Sequence, residues 1–389
     1  MSSSIPRVYS LGNSPMTYLL GLRIAQLPSQ PRVPLVVLLL NDQKKLNRFL
    51  NNDSKIVVKS NNNNKEIYHR QFMASCVPPI LSNGEVAPIE NLIVSDASSK
   101  FITAQLSKYN KCLKPDTNIL FLNPSLNLLE YLHRYRWRSD QTRPNLFMGF
   151  TSPVEVGTLH QEFQLSFKTK GKIQFHIAKI DDFPPLGSHS KNSGLPSKGE
   201  KDKNEKENGT FYKLFREMTK LRCGIGSNLV TFDLHIHGFH NLFFTELEKL
   251  IIESCTEPLL AVYDCVFKKE LLKIPGAKNI IRNLINEQLL IIGRSYPSLS
   301  NYPNYSIIFD KERMFNLVVR DLEVNGHRRA KLAQSLNQLN QTNINELNGF
   351  FVALGKYKKC NSKWNDMILT LVKGKQSITK QKALDYHYL

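Results

Sequence analysis

Residues 5–40 read IPRVYSLGNSPMTYLLGLRIAQLPSQPRVPLVVLLL, and three patterns follow one another in them. Residues 5–11 form a strand-like run, and residues 16–27 place Leu19, Leu20 and Ile24 in a helical apolar stripe. Residues 33–40 carry no charge, which is typical of a strand buried on both faces. The order strand, helix, strand predicts the start of a parallel α/β sheet.

The same alternation continues through the first half of the chain. Further short strands are predicted at 92–94, 118–122 and 145–150, between helical stretches such as 126–135. The Asn-rich residues 51–64 predict an exposed loop. A short strand over residues 56–58, which are apolar and β-branched, is an alternative within it. The first half is therefore predicted to be α/β.

The second half has helical spacing almost to its end. Apolar residues recur with a helical period over residues 247–262, 277–292, 311–322, 328–339, 344–357 and 364–372. Between the halves, residues 187–209 consist almost entirely of Ser, Lys, Asn, Gly and Glu, which predicts a disordered polar insertion. The predicted organisation is a domain over 1–240, which carries this insertion, and a helical domain over 241–389.

The charge of the chain favours a polyanionic partner. Among 389 residues, 52 Lys and Arg exceed 33 Asp and Glu, so the net charge is +19. Residues 313–389 hold thirteen basic and five acidic residues, whereas residues 241–312 hold eight and nine. RNA, a ribosome and anionic lipid would all be attracted by such a surface. A solvated basic face with no partner is the alternative.

Several classes of protein are excluded or disfavoured. The longest apolar run, 33–40, has eight residues, whereas a membrane-spanning helix needs about twenty. The six cysteines form no C-x-x-C pair, which favours buried reduced thiols over a zinc ribbon or redox site. Residues 1–41 contain three arginines, several serines and no acidic residue, as expected of a mitochondrial targeting segment that is very short or never removed.

The turn after the first strand keeps one glycine of a dinucleotide-binding motif. In G-x-G-x-x-G the second glycine lets the backbone approach a pyrophosphate, and the third allows close packing of the helix. Gly12 holds the first position, whereas Ser14 and Thr17 place side chains at the other two. By itself this is a weak motif.

A more specific pattern lies in the second half. Residues 246–250 read ELEKL, PLLA follows at 258–261, and residues 342–355 read TNINELNGFFVALG. They resemble the W-x-K-L…N-P-L-T-A and T-E-I-D-x-x-N-G signatures of the ketopantoate reductases (2-dehydropantoate 2-reductases). This resemblance implies a Rossmann-like first domain and a helical, 6-phosphogluconate-dehydrogenase-like second domain. In active members it also implies NADPH-dependent reduction of a 2-keto acid.

The positions that would carry that chemistry are largely altered. Lys249 matches the family's catalytic lysine, but Asn343 replaces the glutamate that helps to hold substrate. Glu253 and Glu257 replace the asparagines of the helix that carries the lysine. These changes predict a non-enzymatic relative, with no catalytic residues and with Lys249 and Asn343 as vestiges. The alternative is an NADPH-dependent 2-keto acid reductase that uses Lys249.

The changes in the glycine turn bear on cofactors in the same way. Gly12, Ser14 and Thr17 are vestigial cofactor-binding positions, so no cofactor is expected, although residual NADP binding stays open. No metal site is expected either. His235, His237 and His240 could suggest one, but a third ligand in suitable geometry is not evident, and surface histidines beside a strand are the better interpretation.

The whole chain also resembles a group of fungal mitochondrial proteins, related to the reductases, that activate translation of cytochrome b mRNA. This resemblance implies a pseudoenzyme of the mitochondrial matrix, peripherally attached to the inner membrane. Its implied partners are the mRNA 5′ leader, the mitochondrial ribosome and other translation factors. Oligomeric state is not implied.

Two kinds of sequence feature are candidates for contact with RNA or the ribosome. The first interleaves aromatic and basic residues, the mixture that stacks bases and holds phosphates: Tyr131, Arg134, Tyr135, Arg136, Trp137 and Arg138. The second comprises basic residues at helix ends: Arg328, Arg329, Lys331, Lys356, Lys358 and Lys359. For both kinds, a solvated helix end is the alternative interpretation.

Overall fold

The computed structural model describes residues 7–12, 14–27, 34–60, 66–95, 99–139, 141–151, 158–167, 171–180, 214–218 and 230–385. The chain divides into two compact units, residues 1–183 with 189–239 and residues 184–188 with 240–389. The predicted insertion at 187–209 and the first six residues of the predicted targeting segment lie outside the described residues.

The first unit alternates strands and helices as the sequence predicts. In chain order its elements are β1 (Arg7–Leu11), α1 (Pro15–Ile24), β2 (Leu35–Leu39), α2 (Gln43–Asn51), β3 (Lys55–Ser60), β4 (Glu66–Gln71), β5 (Met73–Ser75), β6 (Asn91–Val94), α3 (Ser99–Lys108), β7 (Asn118–Leu122), α4 (Leu126–Tyr131), β8 (Asn145–Thr151), β9 (Thr158–Gln161), β10 (Gln164–Phe167), β11 (Gly171–Lys179) and β12 (Val230–Ile236). A π-helical turn, Leu132–Arg136, continues α4.

Eight of these strands form one sheet in the order β12-β11-β8-β7-β6-β1-β2-β5. The six neighbouring strands β8, β7, β6, β1, β2 and β5 are parallel to one another. Strand β11 is antiparallel to β8, and β12 is parallel to β11. Numbered along the chain, the parallel strands follow the order 3-2-1-4-5-6 of dinucleotide-binding folds. The predicted Rossmann-like first domain is confirmed.

Helix α1 is buried all round rather than along one stripe. Leu19, Leu20 and Leu22 are fully buried, and the same core contains side chains of β1, β2, β3 and β10. The ring of Tyr18 meets that of Phe163 edge to face, with centroids 6.1 Å apart. A helix that is buried on every face lies between layers, here the large sheet and a small second sheet.

That second sheet has four strands in the order β4-β3-β10-β9. Strand β3 includes residues 56–58, so the strand that the sequence left open within the Asn-rich segment is confirmed, and the loop predicted over all of 51–64 is wrong at 55–60. Asn-rich flanks hide β3, because Asn is depleted in strands. Its Ile56 and Val58 are nevertheless fully buried.

The second unit is helical. Its α-helices are α5 (Phe239–Val262), α6 (Ala277–Ser295), α7 (Tyr305–Ile308), α8 (Lys311–Val324), α9 (Lys331–Asn337), α10 (Asn348–Lys358) and α11 (Lys363–Asp385). Helix α11 continues far beyond the predicted end at residue 372. Its last turns lack an apolar stripe and are built largely from residues such as Lys, Gln, Ala and Leu, which have high helix propensity.

A buried polar network joins three helices of this unit. The Nδ2 of Asn348 donates to the Oδ1 of Asn365 at 3.0 Å, and the Nε2 of Gln288 donates to the same oxygen at 3.0 Å. Glu287 accepts from the backbone N–H groups of Trp364 and Asn365, at the start of α11. The asparagine of the N-G signature therefore stabilises helix packing.

Two general expectations concern the described part of the chain. Five of the six cysteines lie in it, and all five are buried and unpaired. None of its helices combines the length and the apolar character that crossing a bilayer requires.

Candidate functional site

The turn between β1 and α1 lies at the carboxyl end of the sheet, where dinucleotides bind in this fold. Gly12 has φ +111°, and a Cβ at this position would stand 1.7 Å from the carbonyl oxygen of Ser95. The same segment is tied down because the Ser95 N–H donates to the Leu11 carbonyl at 2.9 Å. Packing against the end of β6 therefore requires glycine here, whether or not a nucleotide binds.

Ser14 and Thr17 follow in the first turn of α1. Ser14 occupies the N-cap position but its side chain makes no capping bond, and Pro15 after it has no N–H to offer. The Thr17 N–H donates to the Ser14 carbonyl. Thr17 is fully buried, and its Oγ1 has no hydrogen-bond partner among the described residues. The turn thus offers an anion fewer free backbone donors than a glycine-rich turn does.

Polar groups at the neighbouring strand ends are engaged within the first unit. Asp42, which follows β2, accepts from the Lys45 N–H at 2.8 Å and caps α2. In dinucleotide-binding folds an acidic residue at about this place binds the ribose. Asn123, after β7, exchanges two hydrogen bonds with Thr151. Sequence reasoning missed Asp42, although an Asp directly before a helix is a recognisable capping signal.

Lys249 and Asn343, which the sequence predicts to be vestiges of a reductase site, belong to the second unit. The Lys249 side chain is 55% exposed and its Nζ lies 3.6 Å from the carboxylate of Glu246. Burial raises the pKa of Glu246, the charge of Lys249 opposes that shift, and Glu253 adds to it. Asn343 is exposed, and its carbonyl accepts from two N–H groups that follow it, so it opens the turn before α10.

Glu257 stands in a buried group of charges. Its side chain is 7% exposed, its Oε1 lies 3.6 Å from the Nζ of Lys268, and its Oε2 accepts from the Leu332 N–H at 3.1 Å. The same Nζ lies 2.9 Å from Asp321. A carboxylate held in this way joins α5 to α8 and α9, so Glu257 has a structural task where the family places an asparagine.

The aromatic and basic segment after α4 divides into inward and outward side chains. The Nε of Arg134 donates to Glu130 at 2.9 Å, and both side chains are largely buried. Arg136 donates to the Leu106 carbonyl, to Ser107 and to Asn110, at the end of α3. Breaking the pair between an arginine and a buried carboxylate costs about 3–5 kcal/mol of stability. An exposed contact between that arginine and an RNA phosphate would contribute less free energy than this.

The exposed remainder of that segment is an aromatic pair with one arginine. Tyr131 and Tyr135 are 47% and 60% exposed, and their ring centroids lie 5.1 Å apart. Arg138 is exposed beside them, whereas Trp137 is buried. The prediction that this segment contacts RNA stays a prediction, and it now concerns Tyr131, Tyr135 and Arg138.

The basic candidates of the second unit are mostly at its surface. Arg328, Arg329 and Lys331 are exposed before and at the start of α9. At the end of α10, Lys356 and Lys359 are exposed, Lys358 is half-buried, and Lys359 has the left-handed backbone of a helix C-cap. Contact of these six residues with RNA or the ribosome also stays a prediction.

Of the three histidines that could have suggested a metal site, only two lie together in the structure. His235 and His237 lie beside His176 of β11, whose Nδ1 is 2.8 Å from the Nε2 of His237. His240 instead begins α5 and bonds to the hydroxyl of Tyr302. The described residues contain no set of three or more His, Cys, Asp or Glu side chains arranged to hold a metal.

We expect these histidines to make the first unit less stable in mild acid. Burial, then His237 and His235, lowers the pKa of His176 against the opposing charge of Asp233. Because the folded state binds the proton less readily than the unfolded chain, stability rises with pH up to the ordinary value near 6.5. Urea unfolding at several pH values checks this. The pH dependence should flatten in His176→Gln, and a slope equal to that of the unaltered chain would contradict the prediction.

Comparisons with known proteins bear on both halves of the chain. Residues 241–376 match the family described as "Ketopantoate reductase PanE/ApbA C terminal". The whole chain is 82% identical over 389 residues, all of both sequences, to the cytochrome b translational activator CBS2 of Saccharomyces cerevisiae. It is 23% identical over 280 residues to 2-dehydropantoate 2-reductase of the same yeast, covering 69% of this chain and 68% of that one.

A solved structure agrees with these matches. A PanE/ApbA family ketopantoate reductase from Ralstonia eutropha is similar over 96% of this chain and 99% of its own, with a TM-score of 0.58 at 12% identity. The predicted resemblance is thus confirmed, and so is the predicted fold of a Rossmann-like domain followed by a helical one.

Proposed function

The chain belongs to the family of the cytochrome b translational activator CBS2, and we propose that it promotes translation of cytochrome b mRNA as a non-enzymatic mitochondrial factor. The observation that carries this proposal is the 82% identity along the full length of both chains. The protein would act with the 5′ leader of that mRNA, the mitochondrial ribosome and other translation factors. It would reside in the matrix, peripherally attached to the inner membrane.

The geometry of the reductase positions supports a role without catalysis. The β1–α1 turn offers few free donors, Asp42 caps a helix, and Glu257 is held by Lys268 and by a backbone N–H. The fit to a bound NADPH is accordingly poor. Loss of one contact to the reacting atoms costs an enzyme about 10²- to 10³-fold in rate, so several losses leave little activity.

Crosslinking of the mitochondrial protein to RNA, followed by sequencing, tests the proposal, with an NADPH titration on the same preparation. Enrichment of the cytochrome b leader without NADPH binding is the expected result. Tight NADPH binding with turnover of a 2-keto acid, and no enriched leader, would return the chain to the reductases. Lys249→Ala would then be the variant that identifies the catalytic lysine.

Direct contact with RNA is expected to depend on the Tyr131 and Tyr135 pair. Exposed rings stack on bases, and loss of one stack costs about 1–3 kcal/mol, or roughly 5- to 100-fold in affinity. The variant Tyr131→Leu/Tyr135→Leu should therefore bind the leader at least about tenfold more weakly in a fluorescence anisotropy titration. Tyr131→Phe/Tyr135→Phe keeps both rings and should bind like the unaltered protein. Equal affinity of the Leu and Phe variants would remove this pair from the RNA surface.

A further inference from the structure

Two segments that lie far apart in sequence meet beside α9. Residues 266–269 and 326–330 run antiparallel, because the Lys268 N–H donates to the Arg328 carbonyl at 3.1 Å and the Ala330 N–H donates to the Val266 carbonyl at 3.0 Å. The two bonds flank Phe267 and Arg329, which pair directly across the bridge. Residues opposite each other in such a non-hydrogen-bonded pair bring their side chains close together on one face.

That face exposes an aromatic ring among cations. Phe267 is 36% exposed and Val266 is 55% exposed. Four exposed cations lie on these two segments and at the start of α9, and of them Arg329 stands directly opposite Phe267: Lys269, Arg328, Arg329 and Lys331. None of the four makes an ion pair with a described residue. We call Phe267 and these four cations the basic edge.

Most acidic side chains close in sequence to the basic edge are engaged, and the exception is the exposed Glu323, which makes no ion pair with a described residue. Glu270 accepts from the Val266 N–H at 2.8 Å, and Asp264 pairs with Lys375 at 2.6 Å. Asp321 is held by the buried Lys268 and by Asn325. The positive charge of the basic edge is therefore directed at solvent with few local carboxylates to neutralise it.

Buried ion pairs of Lys268 hold the basic edge in position. Lys268 stands between Phe267 and Lys269 but turns inward to Glu257 and Asp321, so one strand-like segment sends alternate side chains into the core and into solvent. This buried group anchors the bridge to α5 and α8. A surface held in place before binding loses less conformational entropy when a ligand arrives.

We propose that the basic edge binds single-stranded RNA, with a base stacked on Phe267 and phosphates held by the four cations. The proposal rests on the proposed function, which supplies RNA as the polyanion, and it adds a second contact surface on the helical unit. Exposed aromatic rings interleaved with arginine and lysine are the chemistry that single strands require. Insertion into a membrane surface would need a broader apolar face than Val266 and Phe267 provide.

Fluorescence anisotropy with labelled oligouridine and with the leader RNA, at a series of salt concentrations, tests the proposal on the full chain. In Arg328→Ala/Arg329→Ala, the slope of log affinity against log salt should fall by about 1.4, the loss of two phosphate contacts on a single strand. Phe267→Leu should weaken binding about fivefold or more without changing that slope.

The matched control is Lys278→Ala/Lys311→Ala, which removes two exposed cations of the same unit that are not part of the basic edge. If it reduces affinity and slope as much as the arginine variant does, bulk charge explains the binding and the proposal fails. The proposal also fails if the arginine and Phe267 variants bind RNA normally while Tyr131→Leu/Tyr135→Leu does not, a result that leaves the proposed function intact. No RNA binding by the unaltered protein would overturn this proposal and the RNA contact expected at Tyr131 and Tyr135, whereas translational activation through the ribosome would stand.

Vesicles of phosphatidylcholine and cardiolipin give the remaining comparison. Sedimentation with these vesicles should be unchanged in Arg328→Ala/Arg329→Ala and in Phe267→Leu. Loss of vesicle binding with retained RNA affinity in either variant would assign the basic edge to anionic lipid and overturn the proposal.

Discussion

Gly12→Ala is expected to lower the free energy of unfolding of the first unit by about 4 kcal/mol or more, an exceptional loss for a single methyl group. The added Cβ would stand 1.7 Å from the carbonyl oxygen of Ser95, a backbone atom at the end of β6. Relief would require β1 and β6 to separate, although the Ser95 N–H and the Leu11 carbonyl hold them together. The positive φ of +111° adds strain that alanine also has to bear.

Gly84→Ala is the matched control, because Gly84 has φ +84° and no atom within 4 Å of an added Cβ. It should cost only the backbone strain, about 1–2 kcal/mol. Urea unfolding followed by fluorescence measures both. The protein has two tryptophans, so a Trp364→Phe background leaves the buried Trp137 to report on the first unit alone.

The result bears on how the glycine turn is interpreted. A large loss in Gly12→Ala and a small loss in Gly84→Ala would mean that packing alone requires Gly12, so the residue is no sign of nucleotide binding. Equal small losses would mean that the turn can open, which leaves space for a pyrophosphate. The NADPH titration would then become the decisive measurement for this unit.

Sequence patterns predicted the strands and helices that are fully buried or that pack against segments close to them in sequence. In strands such as Asn118–Leu122, residues 119–122 are apolar without interruption, so their pattern alone predicts them. The small second sheet was visible only at residues 56–58, because its other strands are short and carry polar residues, and its two hairpins meet only where β3 pairs with the distant β10. The extra turns of α11 depend on propensity rather than on an apolar stripe.

The candidate site shows the same limit at the level of single side chains. Composition shows that arginines follow α4, but only the fold shows that Arg134 faces a buried Glu130 and that Arg136 bonds to the end of α3. Likewise the spacing of His235 and His237 suggested His240 as a third member, whereas the pairing of β11 with β12 supplies His176. Contacts between strands distant in sequence have no local signal.

Lys268→Met is expected to lower the free energy of unfolding of the second unit by about 3–5 kcal/mol, because it leaves buried carboxylates without their cation. Glu257 and Asp321 are 7% and 21% exposed, and Lys268 is the lysine that lies within 4 Å of both. Far-ultraviolet circular dichroism during urea unfolding follows this helical unit. Lys249→Met is the control, since its pair with Glu246 involves a lysine that is 55% exposed and should contribute at most about 1 kcal/mol.

A triple variant separates the charge from the packing of this group. In Lys268→Met/Glu257→Gln/Asp321→Asn no buried charge remains, and the amide oxygen at position 257 can still accept from the Leu332 N–H. Most of the lost stability should return, because replacing a whole buried charge group is far less costly than removing one member. If Lys268→Met alone were as stable as the unaltered chain, Glu257 would not need its partner. Glu257 would then be free to face a ligand from α5, the helix that also carries Lys249. The alternative of a reductase would gain an acidic group to which the proposed function gives only a structural role.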